Sequence, residues 1–180
     1  MRYIVFLKSE QKLSVEIRPL RDNEVAALNA LSAEIWRAHY PGIISVAQIE
    51  SMLAERYNEA VIREELQRGD VWWDVLLLNG QMTGYTAYFL TDTPGMVKID
   101  KLYLHPRAHR QGYGGQLIDH VARRMADQGC KRLTLAVNRR NKTAIAAYRK
   151  NGFVITNTSL KKIDGGFWMD DYIMVKVVNG

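Results

Sequence analysis

The chain has 180 residues and a formal net charge of +6. That length suffices for one domain with a full core, taken here as residues 1–180. No apolar run nears the ~20 residues of a membrane span, residues 1–7 have no signal-peptide cleavage site, and the lone Cys130 excludes an internal disulfide, so a cytoplasmic protein with no membrane partner is expected.

Arg2 to Leu7 and Leu13 to Arg18 read as short strands. Pro19 and Asp22 open a helix whose apolar face is Val25, Leu28, Leu31, Ile35 and Ala38, and Tyr40-Pro41-Gly42 breaks it. Ser45 can cap a second helix through Tyr57, with Ile49, Met52 and Leu53 inward. A third, acidic helix runs from Asn58 to Gln67 and ends at Gly69. Val71–Leu78 and Met82–Leu90 alternate as strands around Asn79-Gly80, a strong hairpin signal. Trp72 and Trp73 should split across the two faces of the first of them.

Val97 to Leu104 is a third strand of this block, stopped by Pro106. Gly112, Gly114 and Gly115 then fall within four residues. From Tyr113 the apolar positions change period, with Leu117, Ile118, Val121, Ala122 and Met125 on one helical face. A strand therefore runs into a glycine loop that opens a helix. Helix N-termini present unpaired N–H groups and partial positive charge. Glycines remove the Cβ atoms that would hold a ligand away. Either a phosphate site or a tight turn without a ligand fits this pattern. No Lys-Ser or Lys-Thr follows the loop, which excludes a P-loop, and Gly112-x-Gly114-Gly115 lacks the dinucleotide spacing. Leu133–Val137 reads as a buried strand, Asn141–Asn151 as a helix ended by Gly152, and Phe153–Thr156 and Phe167–Val177 as the last two strands. The whole is an α/β or α+β three-layer sandwich.

His109-Arg110-Gln111-Gly112-Tyr113-Gly114 resembles the acyl-CoA loop of the GNAT superfamily of N-acetyltransferases, Gln/Arg-x-x-Gly-x-Gly/Ala, with His109 standing where Gln or Arg is usual. Asn141-x-x-Ala144-x-x-x-Tyr148-x-x-x-Gly152-Phe153 resembles the later signature of that family. The resemblance covers Val71 to Phe153 well and implies a mixed central sheet, flanked by helices, that splays open between Val97–Leu104 and Leu133–Val137. It implies acetyl-CoA as cosubstrate, held by Leu102, Tyr103, Leu104, His109, Arg110, Gln111, Gly112, Tyr113, Gly114, Gly115 and Asn141. The amine of a small-molecule acceptor would attack the thioester directly through a tetrahedral intermediate. Tyr148 would protonate the leaving thiolate, and Asp100 occupies the place of the family's base, with His39 and His105 as rivals. For Asn141 a plain helix cap is the competing role, and for Tyr148 a core tyrosine.

The eight basic residues Arg110, Arg123, Arg124, Lys131, Arg132, Arg139, Arg140 and Lys142 crowd these motifs. A polyanionic cofactor accounts for them without nucleic acid as partner, and no nucleic-acid motif appears. The four histidines lack ligand spacing, so no metal is expected. A CoA-binding regulatory module without turnover is the alternative to an enzyme. A homodimer stays open, as does the acceptor: a polyamine, an antibiotic or a peptide N-terminus. The acidic residues available to a polyamine are Glu50, Glu55, Glu59, Glu64 and Glu65.

Overall fold

The computed structural model describes residues 13–178. The strand expected at Arg2–Leu7 lies outside them. One seven-stranded mixed sheet, ordered β1-β2-β3-β4-β5-β7-β6, carries helices on both faces. Its strands are β1 (Val15–Pro19), β2 (Val71–Leu78), β3 (Gln81–Leu90), β4 (Met96–Leu104), β5 (Arg132–Asn138), β6 (Val154–Lys162) and β7 (Trp168–Val177). Three helices, α1 (Val25–His39), α2 (Val46–Arg56) and α3 (Glu59–Arg68), precede β2. Helix α4 (Tyr113–Arg124) joins β4 to β5, and α5 (Lys142–Lys150) joins β5 to β6.

Local chemistry explains most boundaries. Ser45 caps α2 by accepting the Gln48 N–H at 3.1 Å. Asn58 caps α3 through Val61 N–H at 3.0 Å, and Gly69 ends it at φ +72°. Asn79 and Gly80 both take positive φ, 49° and 76°, as a two-residue hairpin turn of primed type requires. In α1, Val25, Leu28, Leu31 and Ile35 are buried as their spacing predicts, but Ala38 is exposed, because the buried face continues through Ser32 and Trp36 and Ala38 turns off it.

Two main cores result. Residues Leu28, Ile35, Ile49, Ile62, Val75 and Tyr85 join α1–α3 to one face. Val97, Ile118, Val121, Leu135 and Phe153 fill the other, under α4 and α5. Trp73 belongs to the first core and Trp72 packs on the second, the expected split. Strand β6 is longer than the expected Phe153–Thr156. Its mostly exposed, polar run leaves no apolar period to read, and pairing to β7 alone defines it.

The feature that positions the site is a partial pairing. Parallel β4 and β5 are in register only at Met96–Arg132, Val97–Leu133 and Lys98–Thr134. Beyond Lys98, β4 stays paired to β3, and β5 to β7, so their facing edges diverge. Between Ala87 and Tyr88 the β3–β4 register skips Asp100, a one-residue bulge in β4 at the mouth of the opening.

Candidate active site

The diverging strands open a cleft of about 1400 Å³. On one side it is lined by Leu102, Tyr103 and Leu104 of β4, on the other by Leu135–Asn138 of β5, with the glycine loop at one end. On the cleft side of β4, residues 99–104 have no strand partner among the described residues, so their backbone groups can pair with an extended ligand as an added strand would.

The loop is built by backbone conformation. Arg110 and Gly112 take φ of 61° and 85°, turning the chain sharply into α4. The first intrahelical bond is from Gln116 N–H to the Gly112 carbonyl at 3.2 Å, which leaves the N–H groups of Tyr113, Gly114 and Gly115 as the helix's orphan donors. A Cβ at Gly112 would meet nothing within 4 Å, so that space is open to a ligand. Gly114 would gain only a 3.8 Å contact with Leu104.

The side chains named from sequence divide into two groups. His109, Arg110, Gly112, Gly114, Gly115, Asn141, Tyr148 and Asp100 line the cleft with the β4 residues. Gln111 instead donates its amide to the Arg107 carbonyl at 2.8 Å and serves the loop's shape rather than its open surface. Tyr113 also lines the cleft, while its ring is buried with Leu76, Ala108 and Leu117. The His109 ring bonds the Leu104 carbonyl at 2.9 Å and so ties the loop back to β4. Of the eight basic residues expected near the motifs, Arg110 lines the cleft and Lys150 joins it. Arg124 is committed to Asp74 on the far face, and Arg139 pairs with Asp170 at 3.2 Å.

Asn141 takes the helix-cap role that the sequence left open, and its amide also meets a histidine. Its Oδ1 accepts the Ala144 N–H at 3.2 Å as a helix cap, and its Nδ2 lies 3.0 Å from His39 Nε2. If the amide donates, His39 is neutral with its acceptor nitrogen occupied, in keeping with a pKa lowered chiefly by burial. His105 is held by Glu34 at 2.8 Å and accepts the Arg107 N–H at 3.1 Å. Neither histidine offers a free basic nitrogen to the cleft.

Tyr148 projects from α5 with its ring edge-on to Phe153, centroids 5.7 Å apart. Burial pushes its phenol up to about 12, which keeps the proton on at neutral pH. Tyr40 and Tyr103, hydroxyls 3.1 Å apart, stand with Trp36 and Tyr57 as an aromatic wall.

Asp100 meets a different environment from the one a base needs. Burial works to raise its pKa, but Lys101 and Arg56, both at 2.9 Å, and Lys98 at 3.6 Å outweigh it and hold the carboxyl well below the usual carboxylate range. An anion caged by three cations has little affinity for a proton, which weighs against the role of base expected of Asp100 from the sequence. Sequence reasoning passed over Asp171. This β7 residue is 5% exposed, lines the same cleft, and has an Oδ1 without a hydrogen-bond partner among the described residues. Burial first, then Asp170, raise it to about 6 against the pull of Lys98 and Arg56. Period-2 alternation along β7 could have flagged it as inward-facing.

Comparison with known proteins agrees with this geometry. Residues 29–153 match the Acetyltransferase (GNAT) family. The chain belongs to that family. Among its relatives, the spermidine N(1)-acetyltransferase of Thermoplasma acidophilum is 29% identical over 166 residues, 91% of this chain and 98% of the relative. An uncharacterized N-acetyltransferase of Mycobacterium bovis is 35% identical over 98 residues, 54% of this chain and 62% of its own. Among solved structures, the PaiA N-acetyltransferase of Thermoplasma acidophilum in complex with coenzyme A superposes with a TM-score of 0.78 at 26% identity, covering 92% of this chain and 99% of that one. A GCN5-related N-acetyltransferase from Rhodopseudomonas palustris gives 0.76 at 22% identity over 94% of this chain and 100% of its own, a likeness of fold. The splayed sheet is thus the GNAT sheet, and the family's chemistry is acetyl transfer to an amine.

Proposed function

We propose that this GNAT chain moves an acetyl group from acetyl-CoA to a small primary amine by direct attack. The observation that carries the reading is the opening between β4 and β5, which sets unpaired β4 backbone, the free N–H groups of α4 and the Tyr148 phenol around one cavity. The pantetheine arm would pair along residues 102–104, and the pyrophosphate would sit on the Gly112–Gly115 turn with Arg110 and Lys150 nearby. Tyr148 would give its proton to the departing thiolate.

The acceptor end is of mixed charge. Glu55, Asp100 and Asp171 line it, and so do Arg56, Lys98, Lys161 and Lys162. Of the carboxylates available to a polyamine on sequence grounds, Glu50 is taken by Arg37 at 2.7 Å, Glu59 by Arg63 at 3.3 Å, and Glu65 by the Trp73 indole at 2.8 Å. A small amine such as the relative's spermidine therefore meets Glu55 and Asp171 rather than a broad acidic face.

Thiol release from acetyl-CoA tests the reading, with spermidine, an aminoglycoside, a peptide N-terminus and an amino acid as acceptors. Turnover with at least one amine is expected. Tight CoA binding with no amine-dependent thiol release would instead make the chain a binding module.

A further inference from the structure

We infer that Asp171 is the general base of this site, the group that takes the proton from the acceptor's ammonium. The inference rests on the acetyltransferase reading above and names a residue that no sequence motif marks. Three independent observations support it. The first is position. Asp171 lies across from Asn138 in the β5–β7 register, and β5 ends at Asn138, where the chain turns toward the α5 helix that carries Tyr148. Asp171 and Tyr148 both lie close enough to the Tyr40 hydroxyl to act on its ionisation. The proposed base and the proposed acid thus border one cleft, which Tyr40 lines as well.

The second is an unsatisfied acceptor. Asp171 Oδ1 is buried with no donor among the described residues bonded to it. A buried carboxylate oxygen left unpaired is costly and uncommon, and it demands an explanation. An arriving ammonium N–H supplies the missing donor. The third is the contrast with Asp100, whose oxygens are consumed by Arg56, Lys98 and Lys101. The charged and titratable groups acting on Asp171 are Asp170 of its own strand, Lys98 of β4, Arg56 of α2 and Tyr40. Lys98 and Arg56 already lie near Asp100, within 3.6 and 2.9 Å, and the resulting affinity near pH 6 suits a base working at neutral pH.

The step balances as follows. The ammonium gives one proton to Asp171 Oδ1. The freed nitrogen lone pair forms the N–C bond, and the carbonyl π pair moves onto oxygen. On collapse the C–S bond breaks, its electron pair leaves on sulfur, and the Tyr148 proton converts the thiolate to the CoA thiol. The second proton lost by nitrogen restores the phenol, and Asp171 returns its own to solvent.

The test compares wild type with Asp171→Asn across pH 5–9, using spermidine or whichever amine of the panel turns over fastest. Expected are a 10²–10⁴-fold loss of kcat/KM, carried by kcat, disappearance of an acidic limb centred near pH 6, and unchanged acetyl-CoA affinity. Asp171→Glu, which keeps a carboxylate, should recover part of the rate with a displaced limb. It also serves if the Asn variant does not fold. Wild-type kcat and an intact limb in Asp171→Asn would overturn the assignment, as would an effect confined to KM, while the acetyltransferase reading stood. A wild-type protein without amine-dependent thiol release would overturn both.

Discussion

At the scale of single residues, two aspartates that look alike in a sequence, and one tyrosine, are set apart by their surroundings. Asp100 is held anionic by its cations, Asp171 is pushed toward neutrality by burial, and Tyr148 keeps its proton. Each carries a prediction or supports one. Tyr148→Phe keeps the ring on Phe153 and removes the acidic hydrogen. Steady-state kinetics should show kcat lower by ~10²–10⁴-fold with CoA affinity and melting temperature near wild type; a tyrosine that only packs would retain activity. For Asp171 the pKa argument also reaches stability. Its folded pKa of about 6 lies above the ordinary 3.8, so its stability contribution is complete below about 3.8 and is lost as pH rises through about 6. The ionised group then costs ~3 kcal/mol at neutral pH. Asp171→Asn should therefore melt higher than wild type at pH 8, and the gain should vanish by pH 4. Loss of stability at pH 8 would mean that the carboxylate braces the strand.

At the scale of elements, the glycine loop and α4 act as one unit, and their glycines are not equivalent. Gly112 sits at φ +85°, so a side chain there strains the backbone by ~1–2 kcal/mol whether or not a ligand is bound. Gly114 has no positive φ and has room for a Cβ. Gly114→Ala should hold or raise stability by ~0.5–1 kcal/mol through helix propensity yet weaken CoA binding, because the methyl lies on the anion-facing turn. Gly112→Val should lose on both counts. Calorimetric titration with CoA beside a melting curve separates the two, and a Gly114→Ala variant that binds CoA as well as wild type would move the pyrophosphate elsewhere. On the far side of α4, Asp74 of β2 is fully buried and takes Tyr88 at 2.5 Å, His120 at 3.1 Å and Arg124. Burial alone would raise its pKa, but the bonds from His120 and Tyr88 and the charge of Arg124 bring it below the ordinary value. This cluster clamps the helix to the sheet.

At the scale of the whole molecule, that clamp and the cleft share the same helix. Asp74→Ala strands Arg124 and His120 beside a buried void and should cost ~3–5 kcal/mol. Because the Asp74 pKa is lowered on folding, its contribution is present above the ordinary 3.8 and is lost as pH falls through its folded value. The stability gap between variant and wild type should accordingly narrow in acid, as urea melts at pH 7 and pH 3 would show. Saturating acetyl-CoA at a hundred times Kd should add ~2.7 kcal/mol to wild type and raise its melting temperature.

The sequence alone determined most of the elements and pointed to the residues proposed for the donor end of the cleft. Period, caps and turn residues are local chemistry, so Asn79-Gly80, Ser45 and Gly69 placed their own boundaries, and the two GNAT-like motifs marked the loop and Tyr148 without reference to distant residues. The edge strand β6 escaped because its polar face leaves no period to read. The proposed base escaped for a different reason. Whether Asp100 or Asp171 can take a proton depends on which cations and which apolar walls stand within a few ångströms, and Arg56 of α2, Lys98 of β4 and Asp171 of β7 are brought together only when the sheet closes on one side and splays on the other. Proton affinity is a property of that assembled environment, and only the tertiary structure decided it.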